Sequence, residues 1–513
     1  MKPHPTLLSF SRGRHLLALA GFLVLAGCMT VGPDFHPPEV KTPATWVDAD
    51  KAASTTAESK LAPDPLTTVD WWTVFGDSKL NELVRDAAAQ NLTVLQAEAR
   101  IRASRASLTS VNAGLLPSVT GTGSYSYGAS PTYVGDEPRE GQPRTSLRAG
   151  LDAVWEMDIF GGLRRSTEAA SASLQVTIEN RRDTLVTLAA EVGVDYIALR
   201  SAQQLLLLAH NNLNDELHTL KITEERWKAG LASKLDYENA KSAADSTSTQ
   251  IPSFELSIRN NIYALSLLLG REPGALLSEL DAAGPLPKTP AQIPVGLPAD
   301  LLRRRADIRA AEAQVHADTA NIGAAISQYF PQFSVNGSFG FNGVAIGQLT
   351  QWASQSWSWG PSINWPIFAG GKIAAQVEQA KATLQGDMFA YRNVVLTALN
   401  EVESAQFTFS KDQERRAALR NVVDDNQQSY DLSLELYTRG QAEFINVLSA
   451  ELSLSSSKNQ LEQSDAAVAT DLVALFKALG GGWSEFPERD ALKLDNAEPG
   501  VSKADPAPAK AAN

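Results

Sequence analysis

Cys28 is the only cysteine among the 513 residues, and it lies at the end of an apolar run. The run, residues 16–26, follows the basic residues Lys2, Arg12 and Arg14. It is too short to cross a bilayer as a helix, but it suits the hydrophobic region of a secretory signal peptide. The lack of any other cysteine fits an exported chain that avoids stray disulfides. We therefore expect the Cys28 thiol to be modified rather than paired.

The letters "LAGC" that end at Cys28 resemble the bacterial lipobox. This resemblance implies that residues 1–27 are removed and that Cys28 becomes the lipidated first residue. Met29 follows where aspartate would oppose sorting to the outer membrane in many Gram-negative bacteria. Acyl chains would anchor the protein to a membrane. The alternative is an ordinary signal peptide with an incidental cysteine.

Other residues that could do chemistry are scattered. His210 and His218 are eight positions apart, near one face of a helix, but no third ligand has suitable spacing for a metal site. The glycine pairs, such as Gly161-Gly162, lack the lysine and hydroxyl residue of a phosphate-binding loop. We expect no catalytic residue, no metal, no cofactor and no enzyme activity.

Charge and hydropathy narrow the possible partners. The formal net charge is −13, and removing the three basic residues before Cys28 leaves −16, which opposes nucleic-acid binding. After the signal region no apolar run reaches the length of a transmembrane helix. If the chain crosses a membrane, we expect it to do so as a closed β-barrel.

The chain contains an internal repeat. "QAEARIRASRASLTSVNAGLLP" (96–117) aligns with "AAEAQVHADTANIGAAISQYFP" (310–331), at an offset of 214. Further along the offset becomes 210, which pairs Gly230 with Gly440 and Gly270 with Gly480. Each half therefore predicts a helix, two strands, a double glycine, a very long helix, a glycine turn and a second long helix.

The long helices carry a seven-residue apolar period, which predicts a left-handed coiled-coil seam. A helix of this length reaches roughly 100 Å, so it must project away from a membrane. Intervening seam positions are small or polar, as at Asp195, Ala202 and Ala209, which suits either a hollow assembly or a plain helical stalk. In the first half the seam positions are Ile178, Leu185, Val192, Leu199, Leu206, Leu213, Leu220 and Trp227. Their counterparts are Met388, Val395, Val402, Phe409, Arg416, Val423, Tyr430 and Tyr437, and Arg416 is the exception to the apolar pattern.

Four segments alternate with a period of two, which predicts strands with one apolar face. They are "VTGTGSYSY" (119–127), "LRAGLDAVW" (147–155), "FSVNGSFGF" (333–341) and "WSWGPSINWPI" (357–367). Their length and terminal aromatics match outer-membrane strands, although a soluble sheet with one buried face would alternate in the same way. Four strands are too few to close a barrel alone, so a membrane barrel would have to be shared among chains.

Several motifs together resemble the outer membrane factor family, and more narrowly its NodT-type lipoproteins, relatives of TolC and OprM. They are the lipobox followed by "VGPDF", "DWWTVFGDSKLNELV" (70–84), "LLRRRADIRAAEAQV" (301–315), "IFGG" and "IFAGG". The match extends from Cys28 to about Trp483. It implies a homotrimer in which four strands from each copy close a transmembrane β-barrel and the long helices close an α-helical barrel, around a small equatorial domain. The expected fold class is therefore mixed and mainly α.

The expected organisation follows from the repeat and this resemblance. The equatorial domain would combine residues 40–70, the 271–300 linker and the C-terminal region. The predicted segments are 1–27 signal peptide, 28–70 anchor and extended segment, 71–116 first helices, 117–156 hairpin, 161–270 long helices, 271–300 linker, 301–330 second-repeat helix, 331–368 hairpin, 370–480 long helices, and 481–513 a partly disordered tail.

The resemblance also implies two groups of site residues around the glycine turns. A periplasmic gate would use Leu235, Asp236, Ile445, Asn446 and Ser449. An adaptor protein would contact Arg226, Ala229, Gly230, Leu231, Arg439, Gly440 and Gln441. This chain has Ser449 where the family usually has aspartate, and Ala306 where it usually has proline. The serine removes an acidic ring at that level, while Asp236 and Glu238 would still make the entrance acidic.

The function implied is an outer membrane channel of a tripartite efflux system, anchored by lipid and projecting into the periplasm. Its partners would be a periplasmic adaptor, an inner-membrane RND pump and outer-membrane lipid, with no nucleic acid. The pump would choose the drug or other small molecule that is exported. Two alternatives stay open: the channel of a type I secretion system, and a non-conducting, lipid-anchored structural coiled coil.

Overall fold

A computed structural model describes residues 30–47, 58–62, 70–134 and 136–487. These residues are mainly helical with a smaller sheet component, which confirms the predicted mixed, mainly α class. Cys28, the predicted signal peptide 1–27 and tail residues 488–513 lie outside the described residues. In the described part of the chain, no helix combines the length and apolar character needed to span a membrane.

The helices of the described residues include two of 67 residues each, one in each half of the repeat. The α-helices are α1 (Ser78–Gln90), α2 (Leu92–Ala113), α3 (Gly162–Lys228), α4 (Lys234–Ser248), α5 (Ile251–Leu268), α6 (Leu277–Leu280), α7 (Leu301–Arg304), α8 (Ala306–Ser327), α9 (Lys372–Thr438) and α10 (Phe444–Ala478). Short 3₁₀ helices span Trp71–Phe75, Pro298–Asp300, Ile346–Gln348 and Trp352–Ser354.

The strands of the described residues form three sheets. Their bounds are β1 (Lys60–Ala62), β2 (Ser118–Gly128), β3 (Thr132–Val134), β4 (Glu137–Arg139), β5 (Arg144–Met157), β6 (Gln292–Pro294), β7 (Gln332–Gly343) and β8 (Gln355–Asn364). The largest sheet has the antiparallel order β2-β5-β7-β8, so each repeat contributes one adjacent pair of strands. β1 pairs with β6 in parallel, and β3 pairs with β4.

The chain divides into two compact units, and the four-stranded sheet belongs to the unit made from 30–39, 103–177 and 310–392. One face of this sheet carries small polar side chains that bond across strands, such as Ser338 to Ser358 at 2.8 Å. The other face carries exposed apolar side chains, including Trp357, Trp359 and Ile363. The alternation in the sequence therefore produces one hydrogen-bonded polar face and one exposed apolar face.

The N-terminal segment 30–39 packs on helices of the same unit. Asp34 forms an ion pair of 2.6 Å with Arg165 on α3. The Phe35 ring stacks on the His316 ring at 4.3 Å, and His316 Nε2 lies 3.0 Å from Glu168 Oε1. The "VGPDF" motif thus supplies both an ionic and an aromatic contact that hold this segment on α3 and α8.

The other unit, formed from the described parts of 40–102, 178–309 and 393–487, has an aromatic core at the "DWW" motif. Trp71 and Trp72 are fully buried. The Trp71 ring stacks on Phe476 of α10, and the Trp72 ring stacks on Phe486, both at 5.5 Å. Gly193 of α3 lies beside this core, and a Cβ atom there would lie 3.3 Å from both Trp71 and Val473.

Arg416, the exception in the heptad series, is buried because an acidic side chain reaches it from the N-terminal part of the same unit. Its guanidinium donates to Glu58 Oε2 at 2.9 Å, and Glu58 also pairs with Arg420. The adjacent Ser59 exchanges hydrogen bonds with Gln413. Segment 58–62 therefore binds the face of α9 at the position where a charged residue interrupts the apolar period.

Two of the expected long segments are interrupted. The second helix of the first repeat breaks between α4 and α5, where Pro252 occupies the first turn of α5. Proline has no amide hydrogen to donate to the preceding turn, so the helix cannot continue regularly. The expected first helix of repeat two is divided at Arg305, whose ψ of 126° is extended, and α8 begins at Ala306.

We expect Gly193→Leu to lower the free energy of unfolding by about 1–3 kcal/mol, because the side chain overfills the space beside Trp71. Leucine is a good helix former, so the loss would report packing rather than helix propensity. Gly386→Leu in α9, where a Cβ meets no atom within 4 Å, is the matched control. Thermal unfolding followed by circular dichroism should separate the two variants, and equal midpoints would contradict this packing.

Candidate functional site

The two glycine turns that join the long helices have the same backbone geometry. Gly230 and Gly440 both have φ of +74°, in the left-handed region that favours glycine. In the first turn the Gly230 amide donates to the Trp227 carbonyl at 2.9 Å. The amide of Leu231 donates to the Arg226 carbonyl at 2.8 Å. This pair of bonds is a Schellman motif, which satisfies carbonyl groups at the end of α3.

The second turn repeats both bonds 210 positions later. The Gly440 amide donates to Tyr437, and the Gln441 amide donates to Leu436, each at 2.9 Å. A Cβ atom added at either glycine would meet no other atom within 4 Å, so the left-handed conformation alone favours glycine there. The duplication in the sequence has therefore preserved a specific helix end.

The helices that follow the turns begin differently. Ser233 caps α4 by accepting a hydrogen bond from the Asp236 amide at 3.1 Å. The Asp236 carboxylate in turn accepts one from the Ser233 amide at 3.0 Å, which completes a capping box. At α10 the corresponding Glu443 makes no capping bond with its side chain. The Asp236 carboxylate therefore stabilises the start of α4. One of its oxygen atoms is used in this hydrogen bond, although the family resemblance implies a role for Asp236 in the gate.

An apolar cluster behind the turns brings α4 and α10 together. Its buried members are Ala240, Tyr437, Phe444 and Val447. Partly buried neighbours from α3, α9 and α10 pack against them: Leu220, Ile222, Tyr430, Leu434 and Leu448. We call these nine residues the turn cluster. It holds the two helical hairpins, α3 with α4 and α9 with α10, against each other.

Arg226 links the two hairpins directly. Its guanidinium carbon lies 4.6 Å from the centre of the Tyr437 ring, and Nη1 donates to the Thr438 carbonyl at 3.4 Å. In the same region Trp227 stacks on Tyr237 at 5.2 Å, within the first hairpin. The half-buried Arg226 side chain therefore contacts the second hairpin, while its predicted contact with an adaptor stays a prediction.

Most of the other predicted site residues are exposed around the turns. Leu231 and Leu235 are 69% and 67% exposed, and Ile445 is 50% exposed. Arg439 is exposed and pairs with Glu435 on its own helix. The remaining exposed members are Ala229, Gly230, Gly440, Gln441, Asn446 and Ser449. The structure thus brings both predicted groups to one accessible end of the paired hairpins, and their roles there stay predictions.

Two buried carboxylates near the turn cluster were missed by the sequence analysis. They are Glu216 on α3 and Glu451 on α10. Extending the intervening seam positions from Ala209 by seven residues reaches Glu216, so the heptad register contained this signal.

Within the described residues, no group of three or more histidine, cysteine, aspartate or glutamate side chains is suited to hold a metal ion.

We expect Gly440→Ala to destabilise the second turn by about 1 kcal/mol, because an L side chain disfavours positive φ. Gly440→Asn should lose less, since asparagine tolerates this conformation. Hydrogen exchange of the amides at 438–446 measures both effects. Equal protection in the two variants would contradict the assignment of a left-handed turn.

Comparison with known sequences gives related proteins across nearly the whole chain. Nodulation protein T of Rhizobium leguminosarum bv. trifolii is 30% identical over 467 residues, 90% of this chain and 96% of that protein. The probable efflux pump outer membrane protein TtgC of Pseudomonas putida is 30% identical over 473 residues, 91% of this chain and 95% of that protein.

Solved channel structures have the same fold. The outer-membrane channel OprN matches with a TM-score of 0.82 and 31% identity, covering 88% of this chain and 99% of that chain. The open state of the Neisseria gonorrhoeae MtrE outer membrane channel matches with a TM-score of 0.74 and 25% identity, covering 88% and 98%. These similarities confirm the resemblance and the fold class inferred from the sequence.

A family model described as "Outer membrane efflux protein" matches residues 83–271 and 297–481, one segment in each half of the repeat. The family, TtgC and OprN are described as efflux proteins or channels rather than enzymes, which confirms the prediction that this chain is not an enzyme. With matches in both halves and relatives along 90% of its length, this chain belongs to the outer membrane efflux protein family.

Proposed function

We propose that this protein is the trimeric outer membrane channel of a tripartite efflux system, and that it conducts drugs or other small molecules out of the cell. Its relatives include outer membrane efflux channels. The observation that carries the proposal is the four-stranded sheet, which presents an exposed apolar face and leaves the outer side of each edge strand unpaired among the described residues.

The edges of that sheet call for further copies of the same chain. β2 and β8 are the outer strands, and the outer side of each lacks a strand partner among the described residues. Unpaired backbone groups are costly in lipid, so a lipid-exposed sheet must have its edges paired. In our proposal β2 of one copy pairs with β8 of the next, and three copies complete the ring with their polar faces inward.

The turn end supplies the proposed gate and the proposed adaptor surface. Exposed Leu235, Ile445, Asn446 and Ser449, with Asp236, would narrow the periplasmic opening. The adaptor would bind the exposed backbone and side chains of the two Schellman turns: Ala229, Gly230, Leu231, Arg439, Gly440 and Gln441, with Arg226 beneath them. The repeated turn geometry supports this surface, because one adaptor motif could then fit both hairpins of each copy.

The proposed location is the outer membrane, with an acyl anchor on Cys28 and helices extending into the periplasm. Segment 30–39 starts two residues after Cys28 and is held by Asp34 and Phe35 on α3 and α8. This attachment supports a short, fixed connection between the anchor and the folded chain. The remaining partner is an inner-membrane RND pump, which would select the cargo.

Purified protein should form a trimer and show low conductance in planar bilayers. Replacing Ile445 with arginine should raise the conductance several-fold, because three like charges around the opening would repel one another. Ile445→Val, which keeps an apolar side chain, should conduct as the unmodified protein does. A monomeric protein that never conducts would contradict the channel and favour a structural coiled coil.

A lysine introduced on the apolar face of the sheet should destabilise the protein more than a lysine on the polar face. Trp359 is 75% exposed on the apolar face. Trp359→Lys should lower the stability of the membrane-inserted protein by about 2–4 kcal/mol. The neighbouring Ser358→Lys, on the opposite polar face, is the matched control and should lose less. The measurement is the fraction of trimer recovered from outer-membrane preparations, and equal losses would argue against lipid contact on the tryptophan face.

A further inference from the structure

Two carboxylates are buried between the helical hairpins, 14 residues before Gly230 and 11 residues after Gly440 along the chain. Glu216 of α3 is only 2% exposed, and Glu451 of α10 is 7% exposed. The Glu216 Oε1 atom accepts a hydrogen bond from Thr247 of α4 at 2.8 Å. The Glu451 Oε1 atom accepts one from Thr219 of α3 at 3.3 Å. Glu451 therefore belongs to one hairpin and takes its hydrogen bond from the other.

The surroundings of the pair provide no compensating positive charge. Within the described residues neither carboxylate forms an ion pair, and the buried Glu216 Oε2 atom has no hydrogen-bond partner. The charged group that acts on both carboxylates is Asp215 of α3, and Glu451 in turn interacts with Tyr430 of α9. The element α4 contributes the neutral Thr247. The ionisable groups that act on the pair are thus acids, which add repulsion when they ionise.

Burial therefore favours the neutral carboxyl groups. Burial, followed by the charge of Glu216, raises the pKa of Glu451 to about 7. Burial also raises the pKa of Glu216, against the opposing hydrogen bond from Thr247. Because both pKa values are raised from about 4.5, the stability that the neutral pair contributes is fully present below pH 4.5 and is lost as pH rises through about 7.

We propose that Glu216 and Glu451 form a proton-operated latch between the two hairpins. With a proton on the pair, α10 stays packed on α3 and α4 above the turn cluster. When both carboxylates ionise, they repel each other in a poorly hydrated interface, and the hairpins separate at their turn end. This mechanism deepens the proposed function and rests on it in one respect: separation would open the channel, so alkaline conditions would favour conduction.

Hydrogen exchange of the full-length protein in detergent tests the latch without reference to transport. Protection factors, which remove the intrinsic pH dependence of exchange, should fall in 240–248 and 444–454 between pH 6 and pH 8. Linkage to one proton limits the fall to about tenfold per pH unit, and linkage to both protons limits it to about a hundredfold. Glu451→Gln, which keeps the shape and removes one of the two charges, should make these protection factors clearly less dependent on pH.

Two further variants keep the test decisive. Glu216→Gln should also flatten the pH profile, so it serves if Glu451→Gln fails to fold. Glu443→Gln alters an exposed acid beside the same turn and should retain the pH dependence of the unmodified protein. A flat profile in the unmodified protein, or an unchanged pH dependence in both buried-site variants, would overturn the latch.

Conductance measured at the same pH values separates the two proposals. A pH-dependent loss of protection with a matching rise in conductance supports both the latch and the channel. The same loss of protection in a protein that never conducts supports the latch and contradicts the proposed function. Conductance that is high and equal at pH 6 and pH 8, with constant protection, contradicts the latch alone.

Discussion

The seven-residue apolar period is the constraint on which the helical part of this protein depends. Most of the stability of a 67-residue helix in a protein comes from packing of its apolar face, so its seam must be buried against other helices. Leu185, Val192 and Leu199 are buried along α3, and Val395, Val402 and Phe409 are buried along α9. Because both repeats have the same seven-residue apolar spacing, the two hairpins can pack against each other through equivalent seams.

Two ionisable residues that interrupt the apolar seams differ in whether an opposite charge lies beside them. Arg416 is compensated, because segment 58–62 brings Glu58 to it and Asp465 lies on its other side. Glu216 is not compensated by charge, since its nearest ionisable neighbours are acids. A paired charge forms a stable ion pair, whereas a buried carboxyl group without an opposite charge can bind a proton near neutral pH. This contrast between two seam positions is the basis for treating one as structural and the other as a latch.

Surfaces that a single chain leaves exposed point to its assembly. The apolar face of the sheet and the aromatic side chains Trp357 and Trp359 are uncovered, and so are the turn residues Leu231 and Leu235. Large exposed apolar surfaces in a folded protein mark contact with lipid or with another protein. In the proposed channel, lipid would cover the apolar face of the strands and the adaptor would contact the turns.

Sequence periodicity alone determined the kind and order of the elements, because a period of two or seven fixes which side chains share a face. It also located both glycine turns, since only glycine adopts their positive φ without strain. Pro252 and the position of Glu216 on the intervening seam were also present in the sequence. The sequence could not show that Glu451 of one hairpin takes its hydrogen bond from the other hairpin, because that contact depends on which helix lies opposite each position. Likewise, the engagement of Arg416 by Glu58 joins residues 358 positions apart, and only the tertiary structure decides such a contact.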